Sequence, residues 1–120
     1  MLIDYMSRGF LDNIIALFRQ DETVYRFIAD MVGSENMRVR IGAAALVEEL
    51  AVDHRAELRY SVPGLIGLLR HENPTVRGDA AWLLGIIQDR ASEGALRCSV
   101  NDSDPGVREA VREALEKIRS

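Results

Sequence analysis

The sequence predicts an all-α fold of about three stacked helix pairs behind an N-terminal capping helix, and three observations carry that reading. Ser34–Val47, His71–Leu84 and Asp102–Leu115 align without gaps, setting Val-Arg pairs at 39/40, 76/77 and 107/108. Self-similarity at such a period, 37 residues and then 31, marks a repeat architecture. Each copy opens on a helix-start signal and continues with apolar residues at helical spacing. No alternating apolar and polar run suggests a strand anywhere.

Residues 2–20 carry Ile3, Met6, Phe10, Ile14 and Phe18, an amphipathic stretch interrupted by Gly9. They are expected to form one or two helices covering the exposed face of the first repeat, so 1–21 is assigned as a cap. The first repeat, 22–51, has a short helix with Tyr25, Ile28 and Val32, then a longer one from about 37. Asn36 can accept from the orphan backbone N–H groups as N-cap, and the stripe that follows is Val39, Ala43, Leu46, Val47 and Leu50.

Val52 to Tyr60 absorbs the difference between the two periods. The second repeat, 61–89, pairs Val62, Leu65, Ile66 and Leu69 with Val76, Ala80, Leu83, Leu84 and Ile87. Pro63 falls in a first turn, where its missing N–H costs little, and Pro74 sits at N1 behind Asn73. The third repeat, 91–119, has Leu96 and Val100 on its first helix, Asp104-Pro105 as cap, and Val107, Val111, Ala114, Leu115 and Ile118 on its second. The flank position held by Ala44 and Ala81 becomes Arg112, and its neighbour becomes Glu113, charges that suit the outer face of a terminal repeat. The chain is therefore read as a single domain over 1–120, complete at three repeats.

Composition limits what such a domain does. The 120 residues hold 19 acidic and 15 basic side chains, a net charge of -4, with 48% hydrophobic residues. These are globular values, and a domain of this size needs no staple of disulfides or metal. Cys98 is the sole cysteine, so no internal disulfide forms. No apolar run approaches the ~18 residues of a membrane span. Asp4 and Arg8 interrupt the start, which does not read as a signal peptide, and a cytoplasmic address is expected. The acidic balance argues against nucleic acid, whose affinity comes mainly from Lys and Arg on phosphates. All basic residues but Lys117 are arginine, whose planar fork suits fixed ion pairs.

Asn73-Pro-Thr-Val-Arg-Gly-Asp-Ala-Ala-Trp-Leu-Leu-Gly and Asp104-Pro-Gly-Val-Arg resemble HEAT-like repeats of the phycobilisome-lyase type. The resemblance covers roughly 22–120 and, with Ser61-Val-Pro-Gly-Leu-Ile-Gly-Leu-Leu-Arg, both helices of the middle repeat. It implies a short α-solenoid. It also implies that Arg40, Arg77 and Arg108 bond acidic or carbonyl groups of neighbouring loops and so stack one repeat on the next. Met37 replaces the expected proline in the first repeat, while Glu93 and Arg97 thin the apolar stripe of the third.

Candidates for chemistry are few. Cys98 occupies a flank position and reads as a small, partly buried apolar residue. His54 and His71 lie near helix ends and read as solvated or helix-terminal histidines, unspaced for a metal. Gly64 and Gly67 lack the downstream Lys-Ser/Thr of a phosphate loop, and Glu48/Glu49 reads as a solvated face. No catalytic residue, cofactor or metal ligand is assigned, and the chain is expected not to be an enzyme.

The surface is more informative. At about 100° per residue from Val76, the buried stripe of the second long helix centres near 20°, whereas Trp82 falls near 240° and Ile86 near 280°. Gly78 and Gly85 would leave the Trp82 ring uncrowded. Trp82 and Ile86 are therefore candidate partner-binding residues on the inner surface, with Arg38, Asp79, Glu49, Glu113 and Lys117 as a charged rim. The competing reading is that Trp82 packs across the groove. Three functions follow: a protein-interaction or scaffold module, including one that binds its own copy; an accessory subunit of a lyase-type enzyme; and a nucleic-acid-binding protein, disfavoured by the acidic inner positions.

Overall fold

The three long helices begin where a side-chain oxygen replaces the missing backbone acceptor. Asn36 Oδ1 accepts from Arg38 N, Asn73 Oδ1 from Thr75 N and Asp104 Oδ2 from Val107 N, at 2.9 to 3.0 Å. A second acceptor lies two residues earlier in each loop. Ser34 Oγ, His71 Nδ1 and Asp102 Oδ1 accept from the N–H of Asn36, Asn73 and Asp104. Each repeat thus opens on a nested turn that satisfies the cap's own amide. The sequence reading placed the caps but missed this upstream acceptor, because three chemically unlike side chains fill the position.

The computed structural model describes residues 22–120, together with Ala16. The capping helix expected over 1–21 lies outside the described residues. The α-helices of 22–120 are α1 (Ile28–Val32), α2 (Met37–Asp53), α3 (Val62–Leu68), α4 (Pro74–Ile87), α5 (Glu93–Cys98) and α6 (Pro105–Arg119). Each odd-numbered helix continues from a 3-10 segment, Glu22–Phe27, Glu57–Ser61 or Arg90–Ser92. The described chain has no strand.

A buried serine stands at two of these 3-10 to α junctions. Ser61 Oγ donates to the Leu58 carbonyl at 2.6 Å and Ser92 Oγ to that of Asp89 at 2.7 Å. The hydroxyl is satisfied three residues back along its own chain, which is why a polar side chain is tolerated here.

All five stripe residues expected in each of α2, α4 and α6 are buried. All of them except Val76 form one cluster with Tyr25, Ile28, Val32, Val62, Leu65, Leu69 and Leu96 from the shorter elements. Helices pack within pairs, α1 on α2, α3 on α4 and α5 on α6. They also pack between pairs, α1 on α3 and α2 on α4 on α6. Gly85 lets α6 approach α4 closely: a Cβ there would lie 2.8 Å from Ala114 Cα. Its role is to admit α6 rather than to uncrowd Trp82, which corrects the sequence reading. Gly78, with nothing closer than Val107 Cγ2 at 3.9 Å, does leave open space beside the indole.

Two further expectations are corrected. Val100 is 41% exposed, because α5 stops at Cys98 and the chain turns at Ser99, so the helical spacing from Leu96 no longer applies. Cys98 is exposed rather than partly buried, since its flank of the short α5 faces away from α6.

Candidate functional site

The Val-Arg arginines divide into two kinds. Arg77 bridges repeats: Nε and Nη2 each donate at 3.0 Å to the two oxygens of Asp102, in the loop opening the third repeat. Its Nη1 donates to the His71 and Glu72 carbonyls at 2.9 and 3.2 Å, so the fork is filled on both sides. The pair is mostly buried, with 14% and 11% of the side chains exposed. The Arg77 guanidinium holds the Asp102 carboxyl below the usual carboxylate range, helped by the Asp104 amide. Arg40 and Arg108 instead donate to carbonyls of their own opening loops, Ser34 and Asp102, at 2.7 Å. The inter-repeat bond expected at all three is therefore made by Arg77 alone among the hydrogen bonds described: the loop opening the third repeat places Asp102 where the loop next to Arg40 has His71.

At the opposite ends of the long helices Gln88 ties α4 to α6 and to the loop that follows α2. Gln88 caps α4 with φ 59°, a left-handed conformation usually left to glycine. Its Oε1 accepts from Arg55 Nη1 at 2.7 Å and its Nε2 donates to the Lys117 carbonyl at 3.1 Å. Sequence reasoning missed it, since glutamine carries no C-cap signal and both partners are about thirty residues away. Gln88→Ala is expected to cost about 1 kcal/mol in urea unfolding, small because both bonds are exposed. Gln88→Gly should recover part of that by relieving the positive φ.

Trp82 is neither core nor free surface. It and Ile86 are half-buried and pack against the core, yet Trp82 also lines an open cleft of about 390 Å³. Pro74, Gly78 and Asp79 of α4 form one wall beside the indole, and Val107 and Ala110 of α6 form the other. Asp79 is brought there as expected. Burial pushes its carboxyl above the usual carboxylate range, and the charge of Arg40 only partly opposes this.

The rest of the expected rim does not converge. Arg38 and Glu49 on α2 and Glu113 and Lys117 on α6 are exposed, but none lines the cleft, and Ile86 lies a turn beyond it. Four exposed apolar residues were missed: Phe27, Met37, Ile41 and Val52, with Met37 and Ile41 each 63% exposed. Ile41 holds the repeat position of Gly78, so the same side of α2 presents aliphatic side chains where α4 presents the cleft. The i, i+4 spacing of Met37, Ile41 and Ala45 opposite the buried stripe was the available signal.

Among the described residues no three His, Cys, Asp or Glu side chains form a group able to hold a metal. His54 caps α2 beside Glu57, and His71 is occupied by its Asn73 turn. No described helix is long and apolar enough to cross a membrane.

Capped helix pairs stacked through equivalent faces define the class, a helical-repeat protein. Residues 62–120 match the family model of HEAT repeats, which supports a HEAT-like repeat protein. The match covers the second and third helix pairs. No curated protein matches the chain.

Proposed function

We propose that this chain is a non-catalytic, short HEAT-like solenoid that binds another protein through its second helices at the cleft beside Trp82. The cleft itself carries the reading: a half-buried indole with one side open, next to a carboxyl held in a desolvating position. Buried aromatic anchors beside a few fixed polar groups make binding hot spots, and HEAT repeats commonly mediate protein contacts. Folding alone does not favour Asp79. Its raised pKa means that the ionised form costs stability above the folded pKa, and that this cost vanishes as pH falls through it. A residue kept at such a cost suits recognition of a donor or cation on a partner.

Two substitutions test this. Trp82→Ala is expected to lower stability by about 2 kcal/mol, less than the 3 to 5 of a fully buried aromatic, and to leave the helical circular dichroism intact. Asp79→Asn should raise the melting temperature at neutral pH, with the gain disappearing in acid. Proteins captured from lysate of the source organism should be lost with both variants. Capture that survives both removes the cleft as the site.

The accessory-lyase reading rests on the resemblance of Asn73–Gly85 to phycobilisome-lyase repeats. Titration with an open-chain tetrapyrrole, followed by absorbance, distinguishes it from a purely protein-binding role.

A further inference from the structure

We propose that a second surface, the groove between α5 and α6, docks an acidic peptide segment carrying aliphatic residues. The groove encloses about 840 Å³ and lies on the flank of α6 away from the Trp82 cleft. Arg108, Arg112, Leu115 and Arg119 line it from α6 at i, i+4, i+7 and i+11, one stripe of the helix, while Arg97 and Val100 face them from α5 and its following turn.

The charge is what commits the occupant. Four arginines line the groove against two carboxylates, Glu109 and Glu116, so it is locally basic in a protein whose net charge is -4. Arg112 pairs with Glu109, and Arg119 bonds Glu93 at 3.3 Å. The Arg97 guanidinium makes no hydrogen bond or ion pair among the described residues, and Arg108 spends one nitrogen on the Asp102 carbonyl. Arg112 stands at the repeat position of Ala81, which is buried where α4 meets its neighbours, so a packing residue has been replaced by an exposed cation.

The floor separates a peptide from a nucleic acid. Val100, 41% exposed, and the edge of Leu115 supply an apolar surface without an aromatic ring for base stacking. Glu109 and Glu116 interrupt the cationic lining, which disfavours a backbone charged at every residue, whereas a peptide can leave uncharged residues opposite them. A peptide can place carboxylates on the arginine forks and an aliphatic side chain on Val100.

The test uses a short fluorescein-labelled peptide with two leucines among glutamates, titrated with the full chain and followed by anisotropy. Binding is expected at low salt, weakening as salt rises. Arg97→Glu should weaken it at least about tenfold and Val100→Ser about threefold, with both variants melting as wild type does. Trp82→Ala should leave it unchanged, which separates this groove from the proposed interaction site. Equal binding of a leucine-free glutamate peptide, or tighter binding of a single-stranded oligonucleotide, would overturn the assignment. So would affinity indifferent to Arg97→Glu, or a wild-type dimer in sedimentation that Val100→Ser dissociates, which would make the groove a contact between copies.

Discussion

Arg77→Ala is expected to destabilise the protein by about 3 kcal/mol, measured by urea unfolding at neutral pH. The guanidinium makes a two-pronged bond to Asp102 and bonds two carbonyls of its own loop, with little of the pair in contact with water. Breaking a buried pair typically costs ~3 to 5 kcal/mol because the remaining charge stays desolvated, and the partial exposure here places the cost at the low end. Arg77→Lys should recover only part of it, since an ammonium cannot span both carboxylate oxygens.

The pH dependence follows from Asp102. Its folded pKa is lowered below the usual value of about 3.9, so its contribution is fully present above that value and is lost as pH falls through the folded pKa. The stability gap between wild type and Arg77→Ala should therefore be constant from pH 7 to about 5 and narrow below about 4. A gap that persists undiminished in acid would show that the carbonyl bonds, not the carboxylate, carry the effect.

Gly85→Ala is expected to cost about 2 kcal/mol, although alanine is the better helix former by about 1 kcal/mol. The added methyl would stand 2.8 Å from Ala114 Cα and 3.0 Å from Ala114 Cβ, so α6 has to move away along its length. Overpacking of this kind costs ~1 to 3 kcal/mol even when flexible side chains share it, and here the obstacle is backbone. Gly67→Ala provides the contrast. Nothing lies within 4 Å of that position, so it should stabilise by about 0.5 kcal/mol. If both substitutions stabilise, α4 and α6 do not pack as closely as described.

The candidate site was legible only in part. Counting turns from Val76 placed Trp82 off the buried stripe, and it does line an open cleft beside Asp79. The same count gathered Arg38, Glu49, Glu113 and Lys117 into a rim that the cleft does not have. Angles on one helix say which way a residue points, but not how far the neighbouring helix stands or how it is shifted along its axis. Arg77 shows a related limit. Its position in the Val-Arg pair is periodic and could be read, whereas its partner Asp102 lies 25 residues away in a loop whose equivalent, His71, is chemically different.

Caps, periodicity and repeat register are local or single-helix properties, so the residues alone established the helix starts at 37, 74 and 105 and the buried stripe on each. Those features depend on side chains within one or two turns of each other. The closeness of α4 to α6 at Gly85, the Gln88 link from α4 to α6 and the loop after α2, the exposure of Val100 and the filled fork of Arg77 depend on how separate helices meet. They came from packing, in which the same apolar stripe admits several spacings and one is selected by the small residues and ion pairs between repeats.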